Sequence, residues 1–115
     1  MSEIKDLTKR IVDFRDKRDW KQFHNAKDMA LSLVLEATEV LEHFQWKKEG
    51  DIENYLVENK DKVGEELADV LYWVLLMSHD LGLDIKKLFE EKMKQNEAKY
   101  SVEKAKGKSD KYTKL

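Results

Sequence analysis

Two stretches of this chain combine apolar residues with acids in the same pattern: LSLVLEATEVLE at residues 31–42 and VGEELADVLYWV at residues 63–74. Each stretch carries two acids three positions apart, and these are Glu36 with Glu39 in the first and Glu66 with Asp69 in the second. Residues at this spacing lie on one face of an α-helix. Two such helices side by side would therefore bring four carboxylates together.

The composition favours a helical protein with one domain. The chain has 115 residues, no proline and only four glycines, and Leu, Glu, Lys and Ala are abundant. We expect a single domain over residues 1–115, with a polar tail over residues 101–115. The 22 basic and 24 acidic residues give a net charge of −2. Since this balance offers no basic excess to offset phosphates, we expect no nucleic-acid partner.

No targeting or membrane-spanning segment is evident in the sequence. The N-terminus lacks an apolar signal region, and no run of 18 apolar residues occurs. There is no cysteine, so the chain has neither disulfides nor thiolate metal ligands. We therefore expect a cytoplasmic protein without a membrane partner.

Hydrophobic periodicity and capping residues divide the chain into four helices. An amphipathic helix is expected over 4–14, followed by a break at 19–24. A second helix runs from Ala26, capped by Asn25, to about Lys48, and residues 49–58 form one or two helical turns. A third helix over 59–81 ends at Gly82, a fourth is capped by Asp84, and the tail is extended or loosely ordered. The second and third helices are apolar on nearly all sides and should be buried on most of them. Two amphipathic helices cannot cover both, so the sequence predicts an all-α, four-helix-bundle-like fold assembled as a homodimer or homotetramer.

The four acids then require an explanation. One interpretation is a solvated stripe, because Glu and Asp are common on helices. Yet Glu36 and Glu66 project among apolar neighbours, and neither stretch offers a Lys or Arg at a matching position. Buried carboxylates without a partner cost several kcal/mol each, so a divalent cation is the favoured partner.

The ligand type restricts the metal. Oxygen ligands without cysteine suit Mg²⁺ or Mn²⁺. A di-iron site would need Glu-x-x-His motifs, and none of the three histidines follows a glutamate at that spacing. Because Mg²⁺ usually keeps positions open for water and phosphates, the acids also indicate a phosphorylated substrate.

Glu36-x-x-Glu39 followed by Glu66-x-x-Asp69 resembles the signature of the MazG-like all-α nucleoside triphosphate pyrophosphohydrolases, most nearly their dCTP pyrophosphatase branch. The resemblance extends over almost the whole chain, through WKQFH at residues 20–24, FQW at 44–46, KM at 92–93 and KYTKL at 111–115. It implies that the four acids bind Mg²⁺ and that a deoxynucleoside triphosphate, dCTP or a modified dNTP, is cleaved to the monophosphate and pyrophosphate. The family role would be house-cleaning of the nucleotide pool.

The resemblance also implies roles for individual residues. Either Glu36 or Glu39 would orient or deprotonate the attacking water. The substrate-binding residues would be Trp20, Lys21, Gln22, Phe23, His24, Trp46, Trp73, Asn96 and Tyr100. Taken alone, the aromatic residues at 20–24 are equally well explained as a hydrophobic plug over the end of the bundle. His43 and His79 are interpreted as structural, although His43 lies on the acid-bearing side of its helix and is also a candidate to contact the metal ligands.

Two alternatives remain open at this point. The chain could be a non-enzymatic helical module for oligomerisation or partner binding, with the acids as a surface stripe. It could also hydrolyse another metabolite that contains a pyrophosphate bond. The aromatic residues favour a substrate with a base.

Overall fold

A computed structural model describes residues 2–115, and all regular secondary structure in this range is helical. The elements are α1 (Glu3–Asp16), a 3₁₀ turn (Lys21–Phe23), α2 (Ala26–Glu42), α3 (Glu49–Asp80), α4 (Ile85–Lys99), the short α5 (Val102–Ala105) and a second 3₁₀ turn (Tyr112–Lys114). The predicted all-α class is thus confirmed. None of the described helices is long and apolar enough to cross a membrane.

The described chain forms two compact units, one ending at Gly82 and one running from Leu83 to Leu115. In the first unit, the long helix α3 packs against both α1 and α2. Its buried apolar side chains are Met29 of α2 and Val63, Leu75 and Leu76 of α3. The second unit contains α4, α5 and the terminal 3₁₀ turn.

Local signals located three helix ends correctly. The Asn25 side chain accepts a hydrogen bond from the Asp28 backbone N–H at 2.8 Å, and so begins α2 as predicted. Asp84 caps α4 in the same way, at 3.1 Å from the backbone nitrogen of Lys87. Gly82 follows the end of α3 with φ of 69°, a left-handed conformation that glycine adopts without strain.

The prediction was wrong about the connection between the two acid-bearing helices. Helix α2 ends at Glu42 rather than near Lys48, and α3 begins at Glu49 rather than Asn59. A tight turn intervenes, in which the backbone nitrogens of Phe44 and Gln45 both bond to the carbonyl of Leu41 at 2.9 Å. Acids in the first turn of α3 favour the helix start, and a glycine at its second position interrupts nothing.

Burial of α2 within one chain is partial. Met29 is the buried residue of α2, and one stripe of that helix, the α2 stripe, leaves its apolar side chains exposed: Leu31, Val34, Leu35 and Leu41. Within one chain, α3 covers only one side of α2. The tail, predicted to be extended or loosely ordered, contains α5 and the terminal 3₁₀ turn.

Arg15 is the unexpected member of the core, with 1% of its surface exposed. Its Nη1 donates to Oδ2 of Asp80 at 2.5 Å, and its Nε donates to Oδ1 of Asp16 at 3.2 Å. Burial alone would lower the pKa of Arg15, but the hydrogen bonds and charges of the two aspartates raise it above its usual value. This ion pair joins the end of α1 to the end of α3.

Candidate active site

The four acids lie on the two helices that pack together, Glu36 and Glu39 on α2 and Glu66 and Asp69 on α3. Glu36 and Glu66 are half-buried, whereas Glu39 and Asp69 are exposed. The pKa of the Glu36 carboxyl is raised, first by burial and then by the charges of the neighbouring acids Glu39, Asp69 and Glu66. The fold therefore brings all four acids into one electrostatic neighbourhood.

Two oxygen atoms in this neighbourhood are buried without a hydrogen bond. Within residues 2–115, Oε2 of Glu36 and Oε2 of Glu66 have no hydrogen-bond partner. Buried carboxylate oxygens of this kind suit a hard divalent cation as their partner. The acids and histidines of the described range do not form a group of three or more placed to hold a metal ion. Without a cation, the four carboxylates repel one another. Their side chains would therefore have to rotate in order to bind one cation together.

His43, which the sequence placed on the acid-bearing side of α2, contacts this cluster. His43, at the end of α2, places Nε2 against Oε2 of Glu66 and Nδ1 against the hydroxyl of Tyr55 on α3. The contact with Glu66 does not have hydrogen-bond geometry, so Oε2 still counts among the unpartnered oxygens. The contact crosses from α2 to α3, and no sequence spacing would have revealed it.

The predicted aromatic segment forms a short turn after α1. Asp19 has φ of 55°, a left-handed conformation that aspartate tolerates better than most residues, and it redirects the chain into this turn. The Trp20 ring then packs edge-on against Phe14, with 5.7 Å between the ring centroids. At the other end of the turn, His24 packs edge-on against Trp73 of α3 at 5.4 Å. Nδ1 of His24 is buried and has no hydrogen-bond partner in the described chain.

A cavity of about 640 Å³ opens beside this turn, between α1 and α3. Aromatic side chains form much of its wall, while Arg10 and Asp69 add one charge of each sign. The aromatic lining residues are Phe14, Trp20, Tyr72 and Trp73. Of these, only the two tryptophans were predicted from the sequence as site residues. Phe14 was assigned to the core stripe of α1, and nothing in the sequence distinguished it from a core residue.

The other predicted substrate residues lie outside the cavity lining. Lys21, Gln22 and Phe23 are exposed, and the Gln22 amide donates to the backbone and side chain of Asp19 at 3.0 Å. The Trp46 side chain is 88% exposed in the turn after α2. Asn96 and Tyr100 belong to the second unit, where the Tyr100 backbone N–H bonds to the Asn96 carbonyl at 2.8 Å and closes α4.

Comparison with known proteins gives consistent matches. The model of the MazG-like family matches residues 31–115. The dCTP pyrophosphatase 1 proteins of Rattus norvegicus and Homo sapiens are each 32% identical to the chain over 114 residues, which cover 97% of this chain and 67% of theirs. The crystal structure of a pyrophosphatase from Archaeoglobus fulgidus superimposes with a TM-score of 0.81 at 34% identity, covering 88% of this chain and 94% of the other.

Proposed function

The chain belongs to the MazG-like family and is a nucleoside triphosphate pyrophosphatase, and we propose that it acts on a deoxynucleoside triphosphate in a reaction that requires Mg²⁺. The products would be the nucleoside monophosphate and pyrophosphate. The relatives named for dCTP support dCTP as the substrate. A modified dNTP as the substrate and house-cleaning of the nucleotide pool as the role are proposed from the family resemblance.

One observation carries this proposal, and it concerns Asp69. This residue influences the titration of Glu36 within the acid cluster, and it also lines the aromatic cavity together with Trp20 and Trp73. Acids suited to a phosphate-bound cation thus adjoin flat rings suited to stacking on a base. A substrate that fits both features carries a base at one end and phosphates at the other.

The acid cluster has the donor chemistry for Mg²⁺ or Mn²⁺, since all four ligands would be carboxylate oxygens. Glu36, Glu39, Glu66 and Asp69 would hold the ion, which when bound neutralises phosphate charge and polarises the bond to be cleaved. In the ion-free protein, burial and the neighbouring acids raise the pKa of Glu36, and a bound cation would offset the repulsion from those acids. Glu36 or Glu39 would orient water for attack at phosphorus and accept its proton as pyrophosphate leaves.

We assign the base to the cavity between α1 and α3, with Trp20 and Trp73 as its stacking surfaces. His24, which packs edge-on against Trp73, is proposed as a further substrate contact beside that ring. Further substrate contacts are proposed for residues outside the cavity lining, namely Lys21, Gln22, Phe23, Trp46, Asn96 and Tyr100.

We further propose that the active protein is a homodimer or homotetramer. The support is the α2 stripe, in which four apolar side chains recur at helical spacing and remain exposed in the single chain. A second copy packed on this stripe would bury it.

The direct experiment incubates canonical and modified dNTPs with the protein and Mg²⁺ and measures released pyrophosphate. We expect pyrophosphate rather than orthophosphate, and loss of turnover in Glu39→Ala and Asp69→Ala with little change in melting temperature. Glu53→Ala, which removes an exposed acid of α3 far along the helix from Glu66, is the matched control. Substantial turnover in both site variants would contradict the assignment.

A further inference from the structure

The contact between His43 and Glu66 ties one acid of the cluster to groups outside it. His43 follows the last residue of α2, and the rings of His43 and Tyr55 have centroids 5.6 Å apart. The His43 side chain is 12% exposed and that of Glu66 is 26% exposed. The imidazole therefore lies between the Tyr55 hydroxyl and the Glu66 carboxylate in a largely buried environment.

The chemistry of the three groups assigns the protons. An ionised carboxylate only accepts hydrogen bonds, so an attractive contact with Glu66 requires a proton on Nε2 of His43. In the neutral imidazole, Nδ1 is then an acceptor, and the Tyr55 hydroxyl donates to it. For the neutral imidazole, one polarity satisfies both contacts: Tyr55 donates to Nδ1 of His43, and His43 presents its Nε2–H to Glu66.

Neighbouring groups hold this arrangement in place. Nζ of Lys47 donates to the His43 carbonyl at 2.6 Å and lies 4.0 Å from the centre of the Tyr55 ring. The Asn59 amide donates to the Tyr55 carbonyl at 3.0 Å. Phe44 packs edge-on against Tyr55, with ring centroids 6.2 Å apart. The Tyr55 ring is thus held by contacts that do not involve the acids, and the backbone of His43 and of Tyr55 is held by the two carbonyl bonds.

We propose that His43 is a positioning residue: its Nε2 contacts Oε2 of Glu66 and donates its N–H to that carboxylate once the side chain turns to bind the divalent cation, while Tyr55 fixes the tautomer and orientation of His43. This inference rests on the proposed metal-dependent function. A carboxylate ligand without such a partner would sample several rotamers, and outer hydrogen-bond partners of metal ligands typically contribute about 10–100-fold to metal affinity or activity.

The test measures Mn²⁺ binding to the nucleotide-free protein by titration calorimetry, so that it does not depend on turnover. His43→Leu should weaken Mn²⁺ binding by about 10–100-fold. Tyr55→Phe keeps the ring and its packing but removes the hydroxyl, and it should weaken Mn²⁺ binding by a smaller factor than His43→Leu. His43→Gln retains an N–H near the position of Nε2 and should restore most of the affinity.

Two controls separate positioning from general structural damage. His79→Leu makes the same chemical change at an exposed histidine of α3 and should leave Mn²⁺ affinity unchanged. In a Glu66→Gln background, His43→Leu should cause no additional loss, because the residue through which it acts is already altered. Melting temperatures of the metal-free variants show whether each one is folded.

The outcomes distinguish this inference from the proposed function. If the wild type binds Mn²⁺ and His43→Leu and Tyr55→Phe bind it equally well, the positioning role is overturned and the metal site stands. The positioning role is also overturned if His43→Leu weakens Mn²⁺ binding by the same factor in the Glu66→Gln background as in the wild type. If the wild type neither binds Mn²⁺ nor shows metal-dependent hydrolysis, the proposed function fails together with the inference.

Discussion

Oδ2 of Asp80, the last residue of α3, accepts a hydrogen bond from Nη1 of the buried Arg15 at 2.5 Å. Asp80→Ala would leave the guanidinium buried with only the half-exposed Asp16 as partner. Removing one partner of a buried pair costs about 3–5 kcal/mol, so we expect a loss of about 3 kcal/mol in the free energy of unfolding, measured with urea. Asp61→Ala, at an exposed acid of the same helix, should stay within about 0.5 kcal/mol of wild type. A loss below about 1 kcal/mol in Asp80→Ala would contradict this role of the pair.

Gly64 lies in the interior of α3, and a Cβ added there would meet no atom within 4 Å in the described structure. Gly64→Ala should therefore raise the free energy of unfolding by about 0.5–1 kcal/mol, because alanine loses less backbone entropy in a helix. Gly82→Ala should instead destabilise by about 1 kcal/mol, because φ at this position is 69°. Both changes can be followed by chemical denaturation. Destabilisation by Gly64→Ala would indicate that a second copy packs closely on this part of α3.

Glu36 should oppose folding in the metal-free protein at neutral pH. The pKa of Glu36 is raised in the folded state, so the folded protein favours the protonated carboxyl. This contribution to stability is fully present below the ordinary glutamate pKa of about 4.3, and it is lost as the pH rises through the folded-state pKa and the carboxyl ionises. Glu36→Gln should accordingly raise the melting temperature at neutral pH and have little effect at acidic pH. Turnover should fall at least about 100-fold, as expected for loss of a proton acceptor. If Glu36→Gln and the wild type have equal melting temperatures at both neutral and acidic pH, the prediction is wrong.

Trp73 should contribute to nucleotide binding more than to the chemical step. Stacking on a base is worth about 1–3 kcal/mol, so Trp73→Ala should raise KM for the preferred dNTP roughly tenfold or more while changing kcat less. Trp73→Phe keeps a flat ring and should recover much of the loss. Steady-state kinetics on the three proteins is the measurement. A fall in kcat at unchanged KM would remove Trp73 from the base site.

The α2 stripe should hold copies of the chain together. Leu35→Lys places a charge in its middle and should shift the protein to a smaller species in light scattering coupled to gel filtration. Val57→Lys changes a similarly exposed apolar side chain of α3 and is the control. The proposal fails if the wild type is a monomer, or if Leu35→Lys has the same mass as the wild type.

Several features of the fold could be predicted from the sequence because their causes are local. Asn25, Asp84 and Gly82 set helix ends through bonds or backbone angles within a few residues of themselves. The spacing of the acid pairs likewise followed from helical periodicity alone. The turn after Glu42 had no such mark, because neither proline nor glycine stands there, and residues 49–58, predicted as one or two separate helical turns, are part of α3.

The amino-acid sequence by itself thus determined an all-helical chain with two acid pairs on separate helices, since 3.6-residue periodicity and capping act over short distances. Only the tertiary structure decided which of those acids are buried, and that His43 and Tyr55 reach Glu66. It also decided that Arg15 is in the core and that Trp20 and Trp73 line one cavity with Asp69. These relationships depend on how α1 and α2 pack on α3, and side chains that meet across helices leave no periodic signal in the chain.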